Sequence, residues 1–328
     1  MKKRIFTSIL LILSILSTIL TGCGVGSKSP ISRTAVLFDT VISIQLYDKS
    51  ELPLLDECID MCSDYNNRFS RTMEGSEIWN LNHAGGAPVE LSDDTIELLE
   101  LGLTYCEKTE GKFDITIGPL TELWNFKSSD QTPPDTSAVK EAKKHVGYNL
   151  LKIDGNTARL LDPQASVDLG GIAKGFIADK LAAYLKSKGV RHAIINLGGN
   201  VLTIGTKPDG TSYNIGIQKP FEEDGVSITA AKVDNKSIVT SGVYQRYKEY
   251  NGRFYHHILN PVTGYPCENN LLSVTIICKS SADADALSTC CFLMGLENGM
   301  RYINSIPDAE ALFITSDNKL HYSNNFPH

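Results

Sequence analysis

The chain has 328 residues, 42% hydrophobic and 21% charged, proportions of a globular protein with a sizeable core. Its 38 acidic against 31 basic residues give a net charge of −7, which argues against a nucleic-acid partner because no broad cationic face is on offer. An acidic chain that handles a phosphate ligand needs positive charge supplied locally, by a metal ion, a lysine or the start of a helix.

The N-terminus reads as a secretory leader. Lys2, Lys3 and Arg4 precede an apolar run from Ile5 to Leu20, and Leu20-Thr21-Gly22-Cys23 sets small residues directly before a cysteine. The cysteine after that small pair resembles a bacterial lipobox, with residues 1–22 as signal peptide and Cys23 as the lipidated first residue. The alternative is an uncleaved anchor, for which the run is short against the roughly 20 residues of a spanning helix. Residues 23–34, with Gly24, Gly26, Ser27, Ser29 and Pro30, read as a flexible tether, and 35–328 as the folded domain. The expected location is the extracytoplasmic face of the cell membrane, held there by acyl chains on Cys23.

In chain order, Val36 to Tyr47 reads as a strand, and the spacing of Leu54, Leu55, Cys58, Ile59, Cys62 and Phe69 predicts a long helix. Ser92 precedes a second helix carrying Ile96, Leu99, Leu103 and Cys106, with Gly111 just past its end. Lys127 to Asp135 is a polar, proline-containing loop, and Ile172 to Lys188 a third helix ended by Gly189. Strands are expected at Ala193–Leu197, Tyr213–Gln218, Val226–Val233, Ser237–Thr240 and Leu271–Cys278. A last helix runs from about Ala282 into the 290s, before a strand at Ala311–Thr315. Helices and strands without regular alternation predict an α+β fold. Besides Cys23 there are seven cysteines, an odd number without paired spacing, so no disulfide framework is read. Cys58 and Cys62, four apart, read as core residues, with a metal pair as the alternative.

Three segments carry chemistry. In Val167-Asp168-Leu169-Gly170-Gly171-Ile172-Ala173-Lys174-Gly175 a glycine pair leads into a helix with a lysine in its first turn, a place for an anion. The bland alternative is a Gly-Gly turn capped by an aspartate. In Ser281 to Thr289, Asp285 and Thr289 are four apart, so their oxygens share a helix face and suit Mg²⁺; acids in a first turn also favour the helix dipole with no metal present. His257 sits near a strand end before Asn260-Pro261 and Thr263-Gly264, as an acid/base candidate or as a surface histidine beside a turn.

The succession of these segments is more telling than any one of them. Phe113-Asp114-Ile115-Thr116-Ile117-Gly118-Pro119-Leu120 comes first, then the Asp168 to Gly175 segment and Asn196-Leu197-Gly198-Gly199-Asn200. Thr240 to Arg246, His257-Ile258-Leu259-Asn260-Pro261 and Ala284-Asp285-Ala286-Leu287-Ser288-Thr289 follow. This order, from about Phe38 to Gly295, resembles the ApbE family of FAD:protein FMN transferases, also described as flavin-trafficking lipoproteins. The resemblance implies a T-fold-related α+β architecture with mostly antiparallel sheets and packed helices. It implies FAD as substrate, Mg²⁺ at the pyrophosphate, and transfer of FMN to a serine or threonine hydroxyl with release of AMP. The acceptor it implies is a flavoprotein subunit with a Ser/Thr-Gly-Ala-Thr-like sequence. Rival readings of the same residues are a metal-dependent FAD pyrophosphatase and a flavin carrier without turnover.

By the same resemblance Asp114, Asp168, Lys174 and Leu259 match positions beside FAD, and Phe38 stands where many relatives carry methionine before Gly-Thr. Here that run is Phe38-Asp39-Thr40. The Gly171 carbonyl, Asp285 and Thr289 match metal ligands, with Ser288 a further candidate. His257 matches a histidine implicated in transfer, and Asp285 is the other candidate base.

Overall fold

The computed structural model describes residues 29–327; the leader, Cys23 and tether residues 24–28 lie outside them. The elements in chain order are β1 (Ile31–Leu37), β2 (Thr40–Leu46), α1 (Leu52–Phe69), α2 (Glu77–His83), β3 (Val89–Glu90), α3 (Asp93–Lys108), α4 (Gly118–Trp124) and α5 (Thr136–Ala142). β4 (Leu151–Asp154), β5 (Thr157–Leu160), α6 (Ala173–Ser187), β6 (Ala193–Leu197), β7 (Asn200–Ile204), β8 (Tyr213–Gln218), β9 (Ser227–Val233) and β10 (Ser237–Gly242) follow. β11 (Tyr247–Tyr250), β12 (Arg253–His256), β13 (Leu271–Cys278), α7 (Ser281–Ile303), β14 (Glu310–Thr315) and β15 (Leu320–Tyr322) complete the chain.

The frame is an eight-stranded sheet in the order β1-β2-β6-β7-β10-β13-β14-β15, with every neighbouring pair antiparallel. Period-2 patterning decides which side chains go to which face. Ile42, Ile44 and Leu46 of β2, with Ala193, Ile195 and Leu197 of β6, join the main core beneath α1, α6 and α7. Side chains turned the other way, Val201, Ile238, Ile277 and Leu312 among them, pack with Tyr213, Ile217, Ala231 and Val233 of the β8–β9 hairpin. A small third cluster of Leu120, Trp124, Val139 and Leu259 stands apart. The α+β expectation holds, and all four predicted helices form, as α1, α3, α6 and α7.

Two boundaries differ from the sequence reading. The tether stops earlier than residue 34, because Ile31–Thr34 are paired with Ser43–Leu46 along β1 and β2. The single strand expected over Val36–Tyr47 is a tight hairpin instead. Phe38 and Asp39 both take positive φ (54° and 58°), the left-handed pair that a two-residue turn needs, and the Asn66 side chain accepts the Phe38 N–H at 3.0 Å. Cys58 and Cys62 are fully buried on the core face of α1, and burial pushes both thiols up to about 12. Among the described residues no helix is long and apolar enough to cross a membrane.

Candidate functional site

Helices α6 and α7 cap each other, and that reciprocity builds the floor of the site. At the start of α6 the Gly175 N–H donates to Asp285 Oδ2 of α7 at 2.9 Å. One turn further along α6, Asp179 accepts from Ser281 N (2.9 Å), Ala282 N (3.0 Å) and Ser280 Oγ (3.0 Å), at the start of α7. Each carboxylate meets N–H groups that a helix start leaves unpaired. The approach is close enough to demand glycine: a Cβ on Gly175 would overlap the Ser281 carbonyl.

That locking sets the Gly170–Gly171 turn against the cavity-lining oxygens of α7. A Cβ placed on Gly171 would lie 3.6 Å from Thr289 Oγ1, and Ser241 Oγ of β10 stands 3.1 Å from the same hydroxyl. Asp285, Thr289, Ser241 and Gly171 all line one cavity of about 1260 Å³. Ser288 does not: it is fully buried, its hydroxyl donating to the Asp285 carbonyl at 2.8 Å and meeting Ser241 Oγ at 2.7 Å. It steadies the ligand-bearing turn from behind.

The cavity gathers the remaining residues singled out from the sequence, namely Phe38, Asp114, Asp168, Lys174, His257 and Leu259. Two of them have their oxygens engaged within the protein. Asp168 accepts from Gly170 N (2.8 Å) and Thr121 Oγ1 (2.8 Å) and pairs with Arg71 Nε (3.1 Å), so it shapes the glycine turn. Asp114 is buried and accepts from Thr116 N and Oγ1 (both 2.7 Å) and Tyr148 N (2.9 Å), tying two loops together. Desolvation raises its pKa, against the pull of those donors. Leu259 is buried against Leu120, Trp124 and Val139 and offers an apolar wall. Phe38 is half-buried at the β1–β2 turn.

His257 is recessed in the cavity. Its main-chain N–H and Nδ1 both face the Arg246 carbonyl at 3.1 Å. A carbonyl only accepts, so Nδ1 carries the proton and Nε2 keeps its lone pair. Burial pushes its pKa down to about 4, with Arg246, His256 and Lys174 adding repulsion, so the ring is neutral at pH 7. The local cations that an acidic chain needs are present. Lys112, Lys174 and Arg246 line the cavity with no ion-pair partner among the described residues.

The donor set fits a hard divalent cation. One carboxylate, two hydroxyls and a turn carbonyl supply only oxygen, and Mg²⁺ takes few protein ligands when substrate phosphates provide the rest. Among the described residues no group of three or more His, Cys, Asp or Glu is placed to hold a metal ion. Sequence reasoning missed Asp179, Ser241, Arg71 and Thr121. Ser241 lay inside a quoted motif, whereas the other three act on partners 47 or more residues away.

Comparison with known proteins identifies the family. The ApbE family profile matches residues 38–313. An FAD:protein FMN transferase of Klebsiella pneumoniae is 34% identical over 289 residues, covering 87% of this chain and 89% of that one. One of Treponema pallidum is 32% identical over 327 residues, covering 92% and 90%. Among solved structures, the ApbE protein of Thermotoga maritima superposes with a TM-score of 0.83 at 29% identity, covering 90% of this chain and 97% of that one. The flavin transferase ApbE of Vibrio cholerae gives 0.80 at 29% identity, with the same coverage. On that profile match and those relatives, with the fold in agreement, this chain is a member of the ApbE family.

Proposed function

We propose that the chain is an FAD:protein FMN transferase that moves FMN from FAD to a serine or threonine hydroxyl of an acceptor protein, as a phosphoester, and releases AMP. The observation that carries the reading is the meeting of Gly171, Asp285 and Thr289 on the floor of a cavity that also holds His257 and Lys174. Asp285, Thr289 and the Gly171 carbonyl would hold Mg²⁺ there. When bound, Mg²⁺ supplies charge neutralisation at the pyrophosphate and at the departing AMP phosphate.

The protein's own residues do the rest. Lys174 and the start of α6 draw the phosphates toward the glycine turn. Leu259 and Phe38 give apolar surface for the flat parts of the ligand. His257 Nε2 takes the proton of the acceptor hydroxyl as its oxygen bonds to the FMN phosphorus and the bond to the AMP oxygen breaks. A ring already neutral at pH 7 is ready for that step. The leader, Cys23 and tether would place this domain at the outer face of a membrane, within reach of membrane-bound acceptors carrying a Ser/Thr-Gly-Ala-Thr-like sequence.

The test is to incubate the soluble domain with FAD, Mg²⁺ and an acceptor polypeptide, then weigh the acceptor. A gain equal to one FMN residue, with AMP formed only when acceptor is present, supports the reading. AMP and free FMN formed without acceptor would make the protein a pyrophosphatase.

A further inference from the structure

The cavity mouth carries an aromatic cluster that the fold does not need. Phe221, Tyr247 and Phe254 are 53%, 42% and 36% exposed, although burying such rings would be favourable. Phe221 comes from the β8–β9 loop and the other two from the β11–β12 hairpin, so two separate elements meet there. The Phe221 ring lies 5.5 Å from Phe254 and 6.0 Å from Tyr247, and Tyr247 and Phe254 are 4.6 Å apart.

Phe221 is held outward. Its backbone takes φ 60°, unusual for a bulky residue. The Gln218 amide ties down the loop behind it, donating to the carbonyls of Glu222 (3.2 Å) and Glu223 (2.9 Å) and accepting from Gly225 N (3.0 Å). An exposed ring on a loop braced in this way is organised before anything binds.

Position decides what it would bind. Phe221 and Tyr247 line the cavity, whereas Phe254, packed against both and partly exposed, is not part of its lining. A ligand covering the whole cluster must therefore extend from the cavity mouth onto the protein surface, which suits a polypeptide. Tyr247 follows Arg246, whose carbonyl orients His257, and pairs across the hairpin with His256. Phe221, Tyr247 and His257 line the same cavity, and a chain laid on these rings would enter the space that His257 borders.

We infer that Phe221, Tyr247 and Phe254 form the docking lip for the acceptor polypeptide, gripping apolar residues that flank the hydroxyl to be flavinylated. This rests on the transferase reading above and names the partner surface of that site. The rings would then govern acceptor capture, and Asp285, Thr289 and His257 the chemistry.

The experiment compares the wild-type domain with Phe221→Ser and Phe254→Ser. The probes are two synthetic polypeptides sharing one Ser-Gly-Ala-Thr core, flanked either by leucine and phenylalanine or by serine and glycine. For the apolar-flanked probe each variant should raise KM about tenfold, as loss of an interface anchor does, while kcat and FAD affinity stay near wild type. The wild-type protein should prefer that probe, and the variants should lose the preference. An unchanged KM in both variants overturns the inference, as does weakened FAD affinity of the same size, which would assign the rings to the flavin. Effects confined to vesicle binding or self-association would also overturn it. If the wild-type domain transfers no flavin to either probe, the transferase reading itself falls and takes the docking lip with it.

Discussion

Replacing Gly175 by alanine tests whether the site is made by the contact between α6 and α7. The new Cβ would overlap the Ser281 carbonyl oxygen and lie 2.6 Å from its carbon and 2.7 Å from Ala282 Cα. Those are backbone atoms and cannot swing aside, so the helices must part by about 1 Å to restore ordinary carbon contacts. Overpacking of this kind costs about 1–3 kcal/mol. The same movement stretches the Gly175 N–H to Asp285 bond beyond its 2.9 Å, and a hydrogen bond to a charged group contributes about 1.5–3 kcal/mol. Alanine's helix propensity returns about 1 kcal/mol. The net loss is about 2–5 kcal/mol, a fall in Tm of roughly 3–8 °C for a domain of this size. Thermal unfolding without added metal measures that loss, and a Mg²⁺ titration of FAD binding should show weaker dependence on the ion because Asp285 and Gly171 have moved apart. A variant that melts within one or two degrees of wild type and keeps its Mg²⁺ response would refute the idea that this contact positions the ligands.

Three further outcomes follow from the geometry. Asp285→Ala should abolish FMN transfer, while His257→Ala slows it, by about 10²–10⁴-fold, and keeps FAD binding; equal in-gel flavin fluorescence for wild type and Asp285→Ala would remove the metal assignment. Asp179→Asn sets an amide N–H₂ against helix N–H donors, so Mg²⁺ affinity should fall about tenfold and recover in part at high Mg²⁺; unaltered affinity would make Asp179 a bystander. For His257 the folded pKa of about 4 lies below the ordinary value near 6.5, so the unfolded chain binds more protons between those values. Its contribution to stability is complete above pH 6.5 and declines as pH falls toward 4. Urea unfolding at pH 7.5 and 5 should therefore show a larger loss for wild type than for His257→Gln, and parallel losses would contradict the burial argument.

How much was legible in the sequence depended on the range of the interaction concerned. Helical spacing found α1, α3 and α6 because their core faces repeat within the element itself. The Gly-Gly turn, Asp285 and Thr289 were visible because each motif is local, and their order along the chain suggested a shared site. The β1–β2 turn escaped notice because it lacks the glycine or asparagine that marks a left-handed pair; Phe38 and Asp39 adopt that conformation with help from Asn66, 28 residues further on. Asp168 and Asp114 match positions beside FAD through the family resemblance, and local sequence gives no sign that their carboxylates also accept from backbone N–H groups. In the fold their oxygens brace the loops that present other groups.

Asp179 illustrates the general difficulty. It lies in the middle of an amphipathic helix, where a half-buried aspartate gives no sign of its partner 102 residues away. Yet it and Asp285 form a matched pair, each on one helix and each capping the other. The consequence is chemical as well as structural. Asp285 accepts from Gly175 with one oxygen, so the carboxylate is anchored to the same helix that begins at the glycine turn, and the proposed ion ligands from both segments would move together. A cation held by one carboxylate and a few neutral oxygens would otherwise depend on loop positions that fluctuate independently. Tying those oxygens to two rigid helices would let a small donor set hold the proposed ion, with the substrate supplying its remaining ligands.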